Sequence, residues 1–390
     1  MERRISTASG SERGSQGKPR SLPLAVLIRE VNFLRALRER WEMENSKSVP
    51  VKFDRFKTVE PKAVKMPGGQ LVKTGYLNEE EKLPLVAQPE AEHVDLVEWA
   101  RNSRDLIETK LLEHGAILFR NFSLNPALDF ERFALALCPV LFKDNGEHPR
   151  RAIGGNVYTP VFYPPDRKVL WHNENSFNYQ WPLRILFCCV QPSPEGGETP
   201  IADSRRVYQL IDPKIRERFI EKGVMYVRNY GEGLGLDWQT IFRTTSRSEV
   251  EKICNKTCVE FEWKPGNGLR TRAVRPAVVK HPKTGERSWF AQALHWHLAG
   301  LDAATRKSLT SLYREEDLPR NCCYGDGSPI EDSVMEEIMA IYEKLEVSFH
   351  WQECDILMLD NVLTAHARNA FVGERKLMVA MGEMLGFGEV

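Results

Sequence analysis

A histidine and a glutamate stand two apart in the stretch WHNENSF, as His172 and Glu174. On an extended strand, residues two apart face the same side, so this pair can hold one ion. A third donor must come from elsewhere among the nine histidines. His93 and His114 lie in polar or helical surroundings, and His281 lies in the turn sequence KHPKTGE. His295 and His297 form an HxH pair in ALHWHLAG and are the main competitors. His366 follows CDILMLDN, an apolar strand that closes on Asp-Asn. Two imidazoles and one carboxylate on a single face of Fe(II) leave open positions for a chelating cosubstrate and for oxygen. The plainer reading of His172 and Glu174 is a solvated strand face, since a lone HxE is common by chance.

Two further residues bear on that choice. Thr199 follows the Gly196-Gly197 turn in PSPEGGETPIADSRRVY, and Arg375 comes nine residues after His366. A guanidinium beside a hydroxyl suits the distal carboxylate of a dicarboxylic acid. Taken blandly, Thr199 is a turn residue and Arg375 a surface ion-pair partner. Arg272, in LRTRAVRPAV, is read as a strand-edge charge with a substrate carboxylate or phosphopantetheine as its other reading, while Asp203 and Arg205 cap and charge a helix.

The elements that must carry these residues follow from the pattern. HVDLVEWARNSRDLIETKLLEHG reads as one helix stopped by Gly115, AILFRNF as a strand, and ALDFERFALALCPVLF as a second helix. After residue 150 the texture turns to short β-rich runs broken by Gly and Pro, with SRRVYQLIDPKIRERFIEKG and EDSVMEEIMAIYEKL as helices between them. Many short strands with turn signals predict a sandwich or barrel with inserted helices. Residues 1–22 are rich in Ser, Gly, Arg and Lys and are expected to be disordered. Residues 23–66 read as an amphipathic helix and a linker, and 67–390 as one domain. The helix either packs on the domain or docks on another protein.

Bulk properties narrow the classes. Lys plus Arg and Asp plus Glu each number 54 in 390 residues, a formal net charge of zero. That balance disfavours nucleic acid and anionic membrane as partners. No apolar run reaches the length of a membrane-spanning helix, and the first residues lack the apolar core of a secretory signal. Eight cysteines include the adjacent pairs Cys188-Cys189 and Cys322-Cys323 with no CxxC. Adjacent strand cysteines point to opposite faces, so the expectation is reduced, mostly buried thiols in a cytoplasm. Cys254 and Cys258 could share one side of a helix, without a matching pair to make a zinc site.

WHNENSF, GGETPIADS and LMLDNVLTAHARNAFVGERKLMVAMGE together resemble the TauD/TfdA superfamily of Fe(II)/2-oxoglutarate-dependent dioxygenases. EHGAILFRNF, VMYVRNYGEGL and YGDGSPIEDS resemble more closely the branch of clavaminate synthase and of SyrP-type hydroxylases associated with nonribosomal peptide synthetases. The resemblance runs from about residue 67 to the end. It implies an α+β fold with a mainly β core, a double-stranded β-helix (jelly roll) with helical insertions. It implies His172, Glu174 and His366 as iron ligands, and Thr199 and Arg375 as partners of 2-oxoglutarate. Fe(II), 2-oxoglutarate and O2 are then the cofactor and cosubstrates. The sequence departs from the family pattern at Glu174, where Asp is commoner; at Arg375-Lys376, where an Arg pair is common; and at Ala291, where Asn is common. Related halogenases carry a small residue where Glu174 stands, so halogenation is not expected.

The implied activity is hydroxylation of an unactivated C–H of an amino acid, free or tethered to a peptidyl carrier protein of a nonribosomal peptide synthetase. The alternatives are oxidation of another small acid, a sulfonate or a carboxylate, and a catalytically silent jelly-roll binding module.

Overall fold

Eight strands form the main sheet of the computed structural model, which describes residues 71–78, 82–142, 152–231 and 237–386. In spatial order these are Val72–Tyr76, Leu85–Pro89, Ala116–Phe119, Ile356–Asp360, Gln180–Gln191, Lys376–Gly386, Val157–Tyr158 and Ala152–Gly154. The pairings are antiparallel except Leu85–Pro89 with Ala116–Phe119, which run parallel. The backbone of the sheet is the long pair Gln180–Gln191 and Lys376–Gly386. The expected tail at 1–22 and the helix and linker at 23–66 lie outside the described residues.

Alternation along the strands sorts side chains into two cores. Leu186, Cys188, Ile356, Met358, Met378 and Ala380 turn to one side and meet Ile107, Leu111, Phe130 and Phe133 of the helices. Ile185, Phe187, Leu357, Leu359, Val379 and Met381 turn to the other and meet Ile201, Phe349 and Trp351. Adjacent residues on a pleated strand face opposite ways, which is why Cys188 and Cys189 fall in different cores. Burying each such large apolar side chain contributes roughly 1.5–3 kcal/mol.

The helices are more broken than the pattern predicts. The first long helix divides into Leu96–Asn102, capped by Asp95, and Arg104–His114, stopped by Gly115 at φ 79. Ser103 interrupts it with φ −116. The helix predicted over SRRVYQLIDPKIRERFIEKG divides into Ser204–Leu210 and Pro213–Lys222, because Pro213 lacks the N–H that would continue the ladder. Asp203 accepts from the backbone N–H of Arg205 and Arg206 and so caps the first of these.

Two smaller sheets complete the β-rich core. Val169–His172, Thr364–Arg368 and Ile201–Asp203 form a three-stranded sheet with Thr364–Arg368 in the middle. An inserted four-stranded sheet has the order Glu260–Lys264, Gly268–Arg275, Val224–Tyr230, Arg320–Tyr324. Its inward residues Val224, Tyr226, Cys322 and Tyr324 share a core with Trp171, Phe177 and Trp296. Cys254 is buried in the helix Arg247–Lys256, whereas Cys258 lies beyond that helix at φ 52, so the two do not share a helical face. Among the described residues no helix is long and apolar enough to cross a membrane.

Candidate metal centre

His172 ends one strand of the three-stranded sheet, and His366 lies on the middle strand directly across from it. Their ring centroids are 4.2 Å apart. The Nε2 of His172 lies 3.9 Å from a carboxylate oxygen of Glu174. One donor atom from each of His172, Glu174 and His366 falls within 4.8 Å of the others, the only such His/Cys/Asp/Glu group among the described residues.

Glu174 reaches this place by a route that strand alternation does not predict. The strand stops at His172, and Glu174 begins a turn in which Asn175 has φ 59. Asn361 holds that turn. Its Oδ1 accepts the backbone N–H of Glu174 at 2.7 Å, and its Nδ2 donates to the Glu174 carbonyl at 3.0 Å and the Pro182 carbonyl at 2.8 Å. Asn173, the spacer in HxE, donates to the Asn361 carbonyl at 2.7 Å and to Ser204 Oγ at 3.2 Å. Both asparagines are fully buried. Asn361, whose carboxamide bonds are met, is a rigid clamp, because each bond broken would leave an orphaned polar group.

The histidines are oriented in turn. His172 Nδ1–H donates to the Leu170 carbonyl at 2.8 Å, which leaves Nε2 as the lone pair facing Glu174. The same carbonyl accepts from His295 Nε2–H at 2.7 Å. The Phe187 ring stands edge-on to His366 at 5.3 Å.

The competing histidine pair is spent on other contacts. His295 and His297 lie on short 3-10 turns, Ala293–His295 and Leu298–Gly300 with its cap, rather than on a strand. His297 donates from Nε2 to the Ile330 carbonyl and accepts at Nδ1 from the Ala299 N–H. His295 packs edge-on against His172 at 4.8 Å. Burial, and then the neighbouring His172, push its pKa down to about 3, so it stays neutral beside the centre. His281 is also buried rather than in an open turn. Its Nε2 lies 3.0 Å from Asp360, and its Nδ1 accepts from the N–H groups of Lys283 and Thr284. Ala291 is buried in the apolar core beside Trp289.

Two residues before Ile201, the strand partner of His366, the Thr199 hydroxyl accepts from Arg375 Nη2 at 3.1 Å and from Trp351 Nε1 at 3.2 Å. With both bonds accepted, its own proton remains for an acceptor. Arg375 Nε donates to the Gly197 carbonyl at 2.7 Å. Glycine is required at 197, with φ 75, because a Cβ there would stand 2.9 Å from Arg375 Cδ. Arg375 makes no ion pair among the described residues. Burial and then the Arg368 charge push its pKa down to about 10. Lys376 instead turns outward and pairs with Glu374 at 3.1 Å. Arg272 pairs with Glu262 at 3.3 Å on the outer face of the inserted sheet.

The family model for the taurine catabolism dioxygenase TauD, TfdA family matches residues 81–381. The chain belongs to the TauD/TfdA dioxygenase family. It is thus a dioxygenase that works with Fe(II), 2-oxoglutarate and O2. The dapdiamide synthesis protein DdaC of Enterobacter agglomerans is 37% identical over 308 residues, 76% of this chain and 93% of that one. A clavaminate synthase-like protein of Arabidopsis thaliana is 27% identical over 295 residues, covering 72% and 85% of the two chains. The crystal structure of the PvcB protein from Pseudomonas aeruginosa matches at a TM-score of 0.48 and 14% identity, over 83% of this chain and 94% of that one.

The residues present fit the groups this family uses. Two imidazoles and one carboxylate are the facial donor set for Fe(II). A partly buried guanidinium without a carboxylate, next to a hydroxyl with a free proton, fits one end of a dicarboxylic acid.

Asn361, Asn173 and Trp351 were not found by reasoning from sequence. The signal for Asn361 was present, in the polar Asp-Asn pair that closes an otherwise apolar strand.

Proposed function

We propose that His172, Glu174 and His366 hold Fe(II), that Arg375 and Thr199 hold the distal carboxylate of 2-oxoglutarate, and that the enzyme hydroxylates an unactivated C–H of an amino acid, free or carrier-bound, in specialised biosynthesis. The observation that carries this reading is the convergence of His172, Glu174 and His366, with the strand partner of His366, Ile201, two residues from a Thr199 hydroxyl bonded to a guanidinium that has no carboxylate among the described residues. We also read the main and three-stranded sheets as the two walls of a jelly roll, and residues 67–390 as the dioxygenase domain.

Bound iron and 2-oxoglutarate would supply the oxidising power, with one atom of O2 going to succinate and the other to the substrate. The chain's own residues orient and protect. The Leu170 carbonyl presents His172 through Nε2, and Asn361 fixes the peptide of Glu174. Arg375 offers a planar fork and Thr199 an O–H to one carboxylate. Phe187, Phe349 and Trp351 supply apolar walls that keep bulk water from the reacting C–H. Neutral His295 adds bulk beside His172 without a competing charge.

The name of the dapdiamide synthesis relative supports a place in specialised biosynthesis. The resemblance to the SyrP-type branch supports a carrier-bound amino acid and a nonribosomal peptide synthetase as partner. Free cysteines suit a cytoplasm.

The test is anaerobic addition of Fe(II) and 2-oxoglutarate. A weak visible charge-transfer band, lost in His366→Ala, is the expected result. A folded, iron-loaded protein with no band would favour the silent binding module.

A further inference from the structure

The strand that ends on His172 carries an irregularity just before it. His172 pairs with His366 and Val169 with Arg368, so Leu170 and Trp171 together face the single residue Ala367. A bulge of this kind breaks the ladder locally and re-aims the groups beside it. The Leu170 carbonyl lies in that break, and two imidazoles donate to it. His172 does so through Nδ1 at 2.8 Å and His295 through Nε2 at 2.7 Å. A carbonyl oxygen has two lone pairs and can serve both donors at once.

His295 comes from a turn that is held on both sides. Before the 3-10 turn Ala293–His295, the Gln292 N–H donates to the Tyr226 hydroxyl at 2.9 Å. Cys322 Sγ approaches the Ala293 carbonyl at 3.6 Å. After the turn, the Trp296 ring packs 5.2 Å from the rings of both Phe177 and Tyr226. His297 then donates to the Ile330 carbonyl at 3.0 Å. Tyr226 and Cys322 belong to the inserted sheet. The insert thus steadies the turn, the turn presents His295, and His295 meets the carbonyl that also orients His172.

Filling space does not by itself call for a histidine here. The His295 ring stands edge-on to His172 at 4.8 Å, and a phenyl ring would occupy the same place. What the imidazole adds is a donor, and that donor goes to the Leu170 oxygen. A carbonyl at a break in the ladder takes its direction from the donors that remain to it.

We propose that His295 is a positioning residue for the iron ligand His172. Its Nε2–H pins the Leu170 carbonyl, and the pinned carbonyl fixes the tautomer and ring angle of His172 so that Nε2 is presented to the metal. This rests on the reading of His172, Glu174 and His366 as the iron site. It gives the inserted sheet a part in metal binding, although the sheet supplies no ligand.

The test separates the donor from the ring. His295→Phe keeps a ring and removes the N–H, whereas His295→Gln removes the ring and keeps a side-chain N–H at similar reach. Fe(II) affinity of the full chain is measured by chelator competition, beside a thermal melt of the iron-free protein. His295→Phe should bind Fe(II) about tenfold or more weakly, the usual effect of losing a group that orients a ligand. The charge-transfer band of its 2-oxoglutarate complex should shift. His295→Gln should recover most of the affinity, while the melting temperatures do not follow that order. Parent affinity in His295→Phe overturns the proposal, as does a His295→Gln no better than His295→Phe. A second measurement needs no variant. Imidazole 15N NMR of the iron-free chain at about pH 8, where an ordinary imidazole is neutral, should show Nδ1–H at His172 and Nε2–H at His295. The opposite tautomer at either residue overturns the proposal. A charge-transfer band in the parent with unchanged affinity in His295→Phe sinks the role of His295 alone. No band in the parent sinks the iron reading and this role with it.

Discussion

Arg184 and Arg375 sit at opposite ends of the same pair of long strands, and their surroundings are nearly inverse. Arg184, opposite Gly382, is fully buried and faces Asp360, Glu108 and Glu383. Burial works against its charge, yet the three carboxylates raise its pKa above the ordinary value. Asp360 is in turn held by His281 and accepts the N–H groups of Val362 and Leu363. This cluster locks the turn between the strand Ile356–Asp360 and the strand carrying His366. Arg375, just before Lys376 opposite Gln191, has a hydroxyl and a carbonyl for partners. Burial and Arg368 lower its pKa. The first cation is neutralised within the fold, and the second has no carboxylate partner among the described residues. A buried ion-pair node serves structure, whereas a desolvated cation without its counterion is what the proposed cosubstrate site needs.

The largest effect should come from breaking the neutralised cluster. Arg184→Met leaves Asp360 and its neighbours without their cation and should cost about 3–5 kcal/mol in a urea unfolding curve. Folded variant should still bind 2-oxoglutarate with near-normal affinity. A variant as stable as the parent would mean that the cluster is not a structural node.

Arg375→Ala should reverse the pattern. Loss of a charge-assisted pair to 2-oxoglutarate is worth about 1.5–3 kcal/mol, roughly tenfold to hundredfold in Kd. Stability should change by less than about 1 kcal/mol, because the hydrogen bonds lost are offset by removing a desolvated charge. Unchanged Kd in titrations of the charge-transfer band would remove Arg375 from the cosubstrate site.

Asn361→Ala sharpens the comparison at the turn that Arg184 protects. It orphans both polar atoms of the Glu174 peptide. Groups that orient a metal ligand are typically worth about tenfold to hundredfold in metal affinity. The check is a competition assay for Fe(II) set beside a thermal melt. A lower melting temperature with unaltered iron affinity would make Asn361 a packing residue only.

The cluster also has a pH signature. The folded pKa of Asp360 lies below its ordinary value, because Arg184 and His281 outweigh burial. Its stabilising contribution is therefore complete above the unfolded carboxylate pKa of about 3.9 and is lost as pH falls through the folded pKa. The stability advantage of the parent over Arg184→Met should be full near neutrality and shrink below about pH 4. An advantage that grows on acidification would contradict this assignment.

What could be read from the chain was the chemistry of side-chain types, and less of how they are held. His172 stood out by the Glu174 two residues on, and His366 by the apolar strand that precedes it. Glu174 was reached through strand alternation, but a turn presents it, and its clamp comes from Asn361 at a separation of 187 residues. Periodicity carries no information about a contact at that distance. His281 looked like a turn residue, and it is one, but its buried bond to Asp360 depends on two strands meeting. The break at Ser103 was missed because the apolar pattern continues through it. By contrast, the opposite facing of Cys188 and Cys189 follows from the period of a strand and needs no tertiary knowledge.

The smallest effect concerns the residue beside Arg375. Arg375 and Lys376 are adjacent cations with separate partners: Arg375, just before the strand, bonds to the Gly197 carbonyl and the Thr199 hydroxyl, and Lys376 pairs with Glu374. Lys376 Nζ lies 3.1 Å from Glu374 with both side chains more than half exposed, a pair worth about 0–1 kcal/mol in such settings. Lys376→Ala should leave stability and the 2-oxoglutarate Kd unchanged within error, while Arg375→Ala shifts the Kd. In the double variant the shift should equal that of Arg375→Ala alone, since residues with no shared partner add. A substantial coupling would mean that the two cations share the cosubstrate carboxylate. The single-fork reading of the socket would then give way to a two-cation one.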